Sequence, residues 1–267
     1  MQDIRIAIAV CRAGVGKIRD NLDKVRFFAK TARNKGADLI CFPEMNVTGY
    51  TNHPNIQTIA EPVPGPAADE LSAIAAETRL LILAGLAEKG AEDTVYASHL
   101  AVYPDGGLET YRKVHIAPPE KPYYTPGNDA AVFKFHSLRF GIQLCYDAHF
   151  PELSGKMALN GAEVLFIPHA SPRGMAIEKH KSWMRHLTAR AYDNSVFVVA
   201  CNQSGSNGKG LSFPGNAVAI NPAGHVIAKS LSSRERICLT DLKTEVFDRV
   251  RQNPMHFFLP NRRPEIY

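Results

Sequence analysis

The stretch GADLICFP at residues 36–43 decides the fold, because a second stretch of the same character, GAEVLFIP, lies at residues 161–168. Each is a short apolar run that ends at a proline. Each also follows a segment with helical periodicity, at residues 17–35 and 151–160 respectively. Since a short apolar run bounded by turn residues is typical of a strand buried on both faces, each stretch is predicted to be an interior strand of a parallel sheet.

The segments on either side of these two stretches also correspond. A strand-like alternation precedes each helix, and a second helix, an apolar strand and a hairpin turn follow, in which proline presets φ and glycine accepts a positive φ. These are residues 4–8, 67–78, 80–86 and 103–107 in the first half, and residues 138–144, 178–194, 196–201 and 221–224 in the second. Each half is therefore predicted to fold as β-α-β-α-β followed by a hairpin.

Strands joined through helices run parallel, and each half then leaves one sheet face to be covered. The economical solution is that the halves cover one another, which predicts an α/β fold, a four-layer αββα sandwich of two mixed sheets. A chain of 267 residues that is 45% hydrophobic can bury one large core, so we expect a single domain over residues 1–267. Chance similarity between two α/β segments remains an alternative, and the α/β class holds in either case.

Neither secretion nor a membrane location is indicated. The N-terminal segment MQDIRIAIAVCRAG has an acidic residue where a signal peptide needs positive charge. No stretch approaches the roughly 20 apolar residues that span a bilayer. The five cysteines are an odd number without CxxC spacing, which is typical of a reducing compartment. We therefore expect a cytoplasmic protein.

The distribution of charges and the spacing of histidines limit the kinds of partner that the sequence predicts. The net charge is +5, but Lys and Arg are spread along the chain rather than clustered, so nucleic-acid binding is not predicted. The ten histidines show no HExxH pattern and no convincing two-ligand spacing on a helix face, so no metal site is predicted. A small-molecule partner is expected, with no cofactor.

Three side chains suited to covalent catalysis follow the ends of predicted strands. Glu44 comes after the strand at residues 39–42, and Cys145 comes after the strand at residues 138–144. Lys113 ends the strand that closes the first hairpin. Because open α/β sheets bind ligands beyond the carboxyl ends of their parallel strands, all three are candidates for one site.

These residue types form a coherent catalytic set. An unperturbed thiol has a pKa of about 8.5 and an unperturbed Glu one of about 4.3, a mismatch that opposes proton transfer from Cys145 to Glu44. A buried site would raise the pKa of Glu44, and the ammonium of Lys113 would stabilise the thiolate and later an oxyanion. A predicted helix start at residues 150–152 would add positive potential near the cysteine.

Simpler explanations exist for each residue taken alone. Free cysteine is among the most buried residue types, and core packing is the preferred interpretation of the other four cysteines, Cys11, Cys41, Cys201 and Cys238. Glu44 would equally suit a solvated loop, and Lys113 would suit a surface Arg-Lys pair. Only their convergence, with Glu44 and Cys145 at equivalent sheet edges in opposite halves and Lys113 bordering the edge of the first, favours an active site.

Three longer segments carry a family resemblance. FPEMNVTGY at 42–50, YRKVHIAPPEK at 111–121 and GIQLCYDAHFPEL at 141–153 resemble, in order and spacing, the signature segments of the nitrilase, or carbon–nitrogen hydrolase, superfamily. The resemblance extends to the helix at 178–194 and to the closing segment RRPEIY, and it favours the amidase-like branch. It implies the same four-layer sandwich.

The resemblance also implies residue roles. Glu44 would be the general base, Lys113 the stabilising cation and Cys145 the nucleophile. Glu120 matches a second glutamate that this family places near the cysteine to orient the substrate or the lysine.

Assembly is a further expectation from the resemblance. Family members commonly form homodimers or larger homo-oligomers through helices near the site. Trp183, Leu187 and Tyr192 are then candidates for an interface rather than for core. The C-terminal tail, from about residue 242 to 267, is expected to pack on a partner subunit.

The expected reaction is hydrolysis of a small linear carboxamide, or an N-carbamoyl compound, through a cysteine thioester that releases ammonia and a carboxylic acid. The oxyanion would be held by Lys113 and the backbone N–H of Tyr146. Tyr50, His149 and His169 are the candidates to line the substrate pocket, although a structural hydrogen bond is the simpler role for either histidine.

Three alternatives stay open at this point. A nitrile could be the substrate, because nitriles and amides can both begin with thiolate attack. A Cys-His hydrolase using His149 is a second possibility, although its four-residue spacing from Cys145 is unlike such pairs. A catalytically silent binding or scaffold protein is the third.

Overall fold

The computed structural model describes residues 1–266, and strands and helices alternate along most of them. The strands are β1 Ile4–Val10, β2 Leu39–Cys41, β3 Leu81–Lys89, β4 Val95–Val102, β5 Leu108–Arg112, β6 Val132–Phe135, β7 Leu138–Ile142, β8 Val164–His169, β9 Phe197–Asn202, β10 Ser204–Ser206, β11 Ser212–Pro214, β12 Asn216–Ile220, β13 Val226–Leu231 and β14 Arg236–Leu242.

The helices lie mainly between the strands, as crossover connections require. They are α1 Ile18–Asn34, α2 Ile56–Ile59, α3 Pro66–Thr78, α4 Pro151–Leu159, α5 Ala176–Met184, α6 Leu187–Asn194 and α7 Thr244–Arg251, with short 3₁₀ helices at Cys145–His149, Leu259–Asn261 and Pro264–Ile266. Within residues 1–266, none of them is long and apolar enough to cross a bilayer.

Two six-stranded mixed sheets form the centre of the fold. Their strand orders are β14-β1-β2-β3-β4-β5 and β13-β12-β9-β8-β7-β6. Strands β1, β2 and β3 run parallel, and so do β7, β8 and β9, whereas the hairpin strands pair antiparallel. The two proline-ended stretches of the sequence contain β2 and β8, so the predicted correspondence between the halves is confirmed.

The side chains of β1 show how the layers are built. Ile6, Ile8 and Val10 belong to the core between the two sheets, whereas Ala7 and Ala9 pack toward α1 and α3 on the outside. β1 lies against β9 and β12 of the second sheet, whose other face is covered by α4, α5 and α6. The alternation of a strand thus produces the predicted helix, sheet, sheet, helix order.

Two edge strands were not predicted. β14 comes from the C-terminal part of the chain and pairs antiparallel with β1 at the edge of the first sheet, with Ile4 opposite Leu242. β6 pairs antiparallel with β7 and closes the edge of the second sheet. The pairing of β14 joins the two ends of the chain and has no local sequence signal, whereas β6 and β7 form a tight hairpin with Phe135 opposite Leu138.

The predicted helix at 178–194 is divided. α5 ends at Met184 and α6 begins at Leu187. Two of the proposed interface residues in this region are buried within the chain: Trp183 is 2% exposed and Leu187 is fully buried. Their placement as interface rather than core residues was therefore wrong, because this chain's own packing encloses them. Tyr192 is 42% exposed and stays a candidate.

The C-terminal segment begins by packing on its own chain. Phe247 of α7 is buried and stacks with Phe197 of β9 at a ring-centroid distance of 6.4 Å. The hydroxyl of Ser195 donates to the carbonyl of His256 at 3.2 Å. The expectation that the tail, from about residue 242 to 267, packs on a partner subunit stays a prediction.

Candidate active site

Glu44 lies in a buried turn directly after β2. The carboxylate oxygen Oε2 accepts a hydrogen bond from the backbone N–H of Ala170 at 2.9 Å, and the Gln203 side-chain amide donates to the backbone carbonyl of Glu44 at 2.8 Å. Ala170 follows β8 and Gln203 follows β9, so the second half of the chain holds the turn of the first. The carboxylate is 1% exposed.

Gly85 of β3 allows this turn to approach the sheet. A Cβ at Gly85 would lie 2.6 Å from the backbone nitrogen of Met45, which is far inside van der Waals contact. The N–H of Gly85 instead donates to the side chain of Asn46 at 2.8 Å, and its carbonyl accepts from the N–H of Val47 at 2.9 Å. A side chain at this position would displace the turn that carries Glu44.

Lys113 joins two carboxylates at the end of β5. The Nζ atom lies 2.9 Å from Oε1 of Glu44, and 2.8 and 3.1 Å from the two carboxylate oxygens of Glu120. The hydroxyl of Tyr50 donates to Oε1 of Glu120 at 2.9 Å, and the N–H of Ala117 donates to its Oε2 at 3.1 Å. The structure therefore brings together Glu44, Lys113 and Glu120.

Cys145 follows β7 and opens the 3₁₀ helix Cys145–His149. The backbone of Cys145 is left-handed, with φ of 43°, a conformation that costs energy for a residue with a Cβ. Asp147 fixes this turn, because its carboxylate accepts from the N–H of Leu144 at 2.9 Å and from the hydroxyl of Tyr111 at 2.8 Å. Tyr146 is the second residue of the helix, where a backbone N–H has no partner within the helix.

Burial controls the protonation of the site. Burial raises the pKa of Glu44 to about 7, opposed by the charge of Lys113 and helped by that of Glu120. Burial alone would lower the pKa of Lys113, but the charges of Glu44 and Glu120 raise it well above its ordinary value. Burial and the charge of Glu44 raise the pKa of the Cys145 thiol, while Lys113 lowers it. At neutral pH the arrangement holds a neutral thiol, a charged ammonium and a carboxylate suited to accept a proton.

The sequence profile described as "Carbon-nitrogen hydrolase" matches residues 5–252, nearly the whole chain. The chain belongs to the carbon–nitrogen hydrolase family. This confirms the resemblance carried by the three segments, and identifies an enzyme that hydrolyses carbon–nitrogen bonds other than peptide bonds.

Curated relatives of this carbon–nitrogen hydrolase include proteins with nitrilase and amidase names. A "Nitrilase" from Pyrococcus abyssi is 30% identical, and the match covers 92% of this chain and 92% of that protein. The 2-oxoglutaramate amidase of Bacillus subtilis is 31% identical, over 80% of this chain and 81% of its own. Amide C–N hydrolysis is thus the general activity that the relatives support.

Solved structures agree in fold. A variant of the amidase from Nesterenkonia sp. AN1, which carries the acetamide moiety of fluoroacetamide covalently at its active-site cysteine, matches with a TM-score of 0.85. The match covers 98% of this chain and 95% of that one, at 24% identity. The same amidase has been solved in complex with butyramide. At this identity the likeness concerns the two-sheet sandwich, which it confirms.

The three residues predicted to line the substrate pocket, Tyr50, His149 and His169, have different surroundings in the structure. Tyr50 is mostly buried and bonds Glu120, as described above. His169 is buried, and its Nδ1 bonds the carbonyl of Ile167 at 2.7 Å while its ring packs on Trp183 at 4.3 Å. Burial lowers the pKa of His169 well below its ordinary value. The His169 ring therefore makes a structural hydrogen bond, which was the simpler of the two roles considered for this residue.

His149 is exposed on the helix that Cys145 opens. Its ring packs near those of Tyr146 and His186, at 5.7 and 4.4 Å. Among residues 1–266 it makes no hydrogen bond to Cys145 or Glu44. Partial burial of the ring and the charge of Arg190 lower the pKa of His149, so the ring is neutral at neutral pH.

Several residues that hold the candidate site in place were not predicted from the sequence. Ala170 acts through a backbone N–H, which has no side-chain signature, although its place after β8 follows the same strand-end rule that selected Glu44. Gln203 follows β9 in the same way. Asp147 lies within the segment around Cys145 but was not singled out. Lys179, whose Nζ donates to the hydroxyl of Ser171 next to Ala170 at 2.7 Å, was missed because it lies in a charged helix typical of a solvated surface.

No metal site is evident in the part of the chain that the structure describes. Within residues 1–266, no group of three or more His, Cys, Asp or Glu side chains could hold a metal ion.

Proposed function

We propose that the protein hydrolyses a small linear carboxamide, or an N-carbamoyl compound, through a thioester on Cys145, and releases ammonia and a carboxylic acid. The observation that carries this proposal is the buried Lys113 ammonium, which bridges Glu44 and Glu120. The charges of all three groups act on the pKa of the Cys145 thiol. A base, a cation and a nucleophile are the groups that acyl transfer through a thiol needs.

The first step is the formation of the carbon–sulfur bond. Glu44 takes the proton of the Cys145 thiol while Sγ attacks the amide carbon. The developing oxyanion is held by Lys113 and by the backbone N–H of Tyr146. An ammonium has three N–H donors, and the two carboxylates can engage two of them, which leaves one for the oxyanion.

The remaining steps release ammonia and then regenerate the Cys145 thiol. The protonated Glu44 gives its proton to the amide nitrogen as the carbon–nitrogen bond breaks, so ammonia leaves and a thioester remains. Water then attacks the thioester carbon while Glu44 accepts a water proton. When the carbon–sulfur bond breaks, that proton returns to Sγ and the carboxylic acid departs. Each role of Glu44 requires a pKa near neutrality, which its burial supplies.

Relatives lend support to the cysteine intermediate and to an amide substrate. The Nesterenkonia amidase is described with a covalent adduct at its active-site cysteine and with bound butyramide. An amidase name is also borne by the relative from Bacillus subtilis. Nitrile hydrolysis is the second candidate, because the relative from Pyrococcus abyssi bears the name nitrilase.

A substrate panel tests the proposal. Ammonia release is measured from short aliphatic amides, ureido acids and amines, and nitriles, each with the wild-type protein and with C145A. Hydrolysis of amides or ureido compounds that disappears in C145A is the expected result. Ammonia from nitriles alone would replace the amidase proposal by the nitrilase one, and release by C145A would overturn both.

Organisation and assembly remain proposals as well. We propose that residues 1–267 act as one catalytic domain and that the protein works as a homodimer or larger homo-oligomer in the cytoplasm. The exposed ring of Tyr192, which packs on Phe258 at 5.3 Å, joins the helix region to the C-terminal tail and suits such a contact. Analytical ultracentrifugation of wild type and Y192R tests this, with a lower mass expected for the variant.

A further inference from the structure

His99 is a fully buried histidine to which the proposed mechanism gives no role. It lies in β4, directly opposite Gly85 of β3. Because the side chains of opposed residues in an antiparallel pair lie on the same face, the His99 ring lies on the face of β3 where Gly85 has no side chain. The ring therefore borders the turn that Gly85 admits to the sheet, which is the turn that carries Glu44.

The imidazole and this turn meet over Gly85. A Cβ at Gly85 would lie 2.8 Å from Nδ1 of His99 and 2.6 Å from the backbone nitrogen of Met45, with the carbonyl carbon of Glu44 at 3.4 Å. The peptide group that joins Glu44 to Met45 and the ring of His99 thus border the same space. The nitrogen of this peptide group is the end that lies nearer to Gly85.

Only the carbonyl end of the peptide group is held by another part of the chain. The carbonyl of Glu44 accepts from the side-chain amide of Gln203 at 2.8 Å. In a trans peptide the carbonyl and the N–H point in opposite directions, so the N–H of Met45 points away from Gln203. Among residues 1–266, this N–H donates no hydrogen bond. The backbone of Met45 is also left-handed, with φ of 58°, a conformation that persists only where its surroundings fix it.

The ring of His99 lacks a donor just as the N–H of Met45 lacks an acceptor. Within the described residues 1–266, neither ring nitrogen has a hydrogen-bond partner of normal geometry. Burial lowers the pKa of His99 to about 3, against the opposing effect of the Leu83 carbonyl, so the ring is neutral at neutral pH. A neutral imidazole has one nitrogen that donates and one that accepts. Since a buried polar group without a partner is costly, a donor and an acceptor that border one space are suited to pair.

We propose that the neutral ring of His99 is the acceptor for the backbone N–H of Met45, in direct contact or across one bound water, and that it thereby holds the peptide group that carries Glu44. His99 is a positioning residue, because it touches no reacting atom and acts through the direction of the Glu44 carboxylate. This rests on the proposed role of Glu44 as general base.

A matched pair of variants tests the acceptor. Asn and Leu side chains have the same branched shape, but only Asn can accept a hydrogen bond. We expect H99L to lower kcat for butyramide about tenfold or more while KM changes less than about twofold, and H99N to keep at least about a third of the wild-type kcat. If H99N loses as much as H99L, or if H99L loses nothing, the proposal is overturned.

A double-mutant cycle tests whether His99 acts through Glu44. H99L is introduced into the wild type and into E44Q, and the rates of ammonia release from butyramide and of Cys145 alkylation by iodoacetamide are measured. In E44Q, H99L should change either rate by less than about twofold, because the carboxylate that His99 positions is absent. Equal factors in both backgrounds would overturn the proposal. Alkylation needs no substrate, so it decides the role of His99 even if amide hydrolysis is not found.

The control for stability is Leu100, the next residue of β4, which is buried in the outer layer. L100A should unfold at a lower urea concentration than the wild type and keep the wild-type kcat and alkylation rate. A loss of kcat in L100A as large as in H99L would trace the effect to stability and overturn the proposal. H99A, whose smaller side chain cannot clash with the turn, replaces H99L if that variant does not fold.

Hydrogen exchange tests the contact without reference to the reaction. The Met45 amide, followed by NMR in the full-length protein, should exchange at least about tenfold faster in H99L than in the wild type, and H99N should restore most of the protection. Such a result supports the contact even if Glu44 proves not to be the base. Equal exchange of this amide in the wild type, H99N and H99L would overturn the proposal whatever the activity.

Discussion

The carboxylate of Glu44 lies 2.9 Å from the ammonium of Lys113, and each side chain is only 1% exposed. The two residues leave different strands of the first sheet, one after β2 and one after β5, and they meet where those strands end. Glu120 contacts the same ammonium at 2.8 Å, so one buried cation is shared by two carboxylates.

The first prediction concerns the nucleophile. C145A should lose at least about 1,000-fold in the rate of ammonia release, because no other side chain can form the thioester. C238A is the matched control, since Cys238 lies in β14 at the edge of the first sheet. Rates of ammonia release from butyramide measure both variants. Substantial turnover by C145A would contradict the assignment.

The second prediction concerns pH. The base form of Glu44 is needed before Cys145 attacks, and burial raises the pKa of Glu44 to about 7. We therefore expect kcat/KM to rise about tenfold per pH unit below pH 7 and to level off above it. E44Q should lose about 100- to 10,000-fold in rate together with this dependence. E245Q, altered at an exposed glutamate of α7, should keep the wild-type profile. A flat wild-type profile between pH 5 and 8 would exclude Glu44 as the base.

Much of the fold could be predicted because its interior strands are local features. β2 and β8 are short apolar runs bounded by a helix and a proline, and burial on both faces of a sheet requires such runs. β14 could not be predicted in the same way. Its sequence RICLTDL mixes charged and apolar residues, and its place beside β1 is set by a pairing across almost the whole chain.

The candidate site, like the fold, could be predicted only in part. Glu44, Lys113 and Cys145 could be proposed because each follows the end of a strand in one of the two sheets and because their chemistry is distinctive. Glu120 was supplied by the family resemblance, since a glutamate seven residues after a lysine in a loop carries no periodic signal. The place of Ala170 beside Glu44 became evident only in the structure, because a backbone N–H that binds a carboxylate has no signature in the sequence.

The third prediction separates the Glu44 base from a Cys-His pair. H149A should retain at least about a third of the wild-type kcat/KM, because the His149 ring is exposed and packs on its neighbours rather than on the thiol. Iodoacetamide alkylation of Cys145, followed against pH, should remain close to wild type in H149A and change in E44Q. The reverse pattern, with alkylation lost in H149A and retained in E44Q, would favour the Cys-His alternative.

The fourth prediction separates the structural role of Lys113 from its catalytic one. K113M leaves Glu44 and Glu120 buried without a cation, so we expect it to lower the free energy of unfolding by about 3–5 kcal/mol. K243M, which breaks an exposed pair with Asp3, should leave that free energy nearly unchanged. Urea unfolding measures both variants.

Adding E120Q to K113M should recover part of the lost stability, because one of the two unpaired carboxylates becomes a neutral amide. The double variant should nevertheless remain inactive, since no ammonium is left to hold the oxyanion. We therefore expect a higher free energy of unfolding for K113M/E120Q than for K113M, and no ammonia release from either variant. If the double variant were no more stable than K113M, repulsion between Glu44 and Glu120 would not be the cause of the loss. If it regained activity, Lys113 would act only by balancing the charge of Glu120.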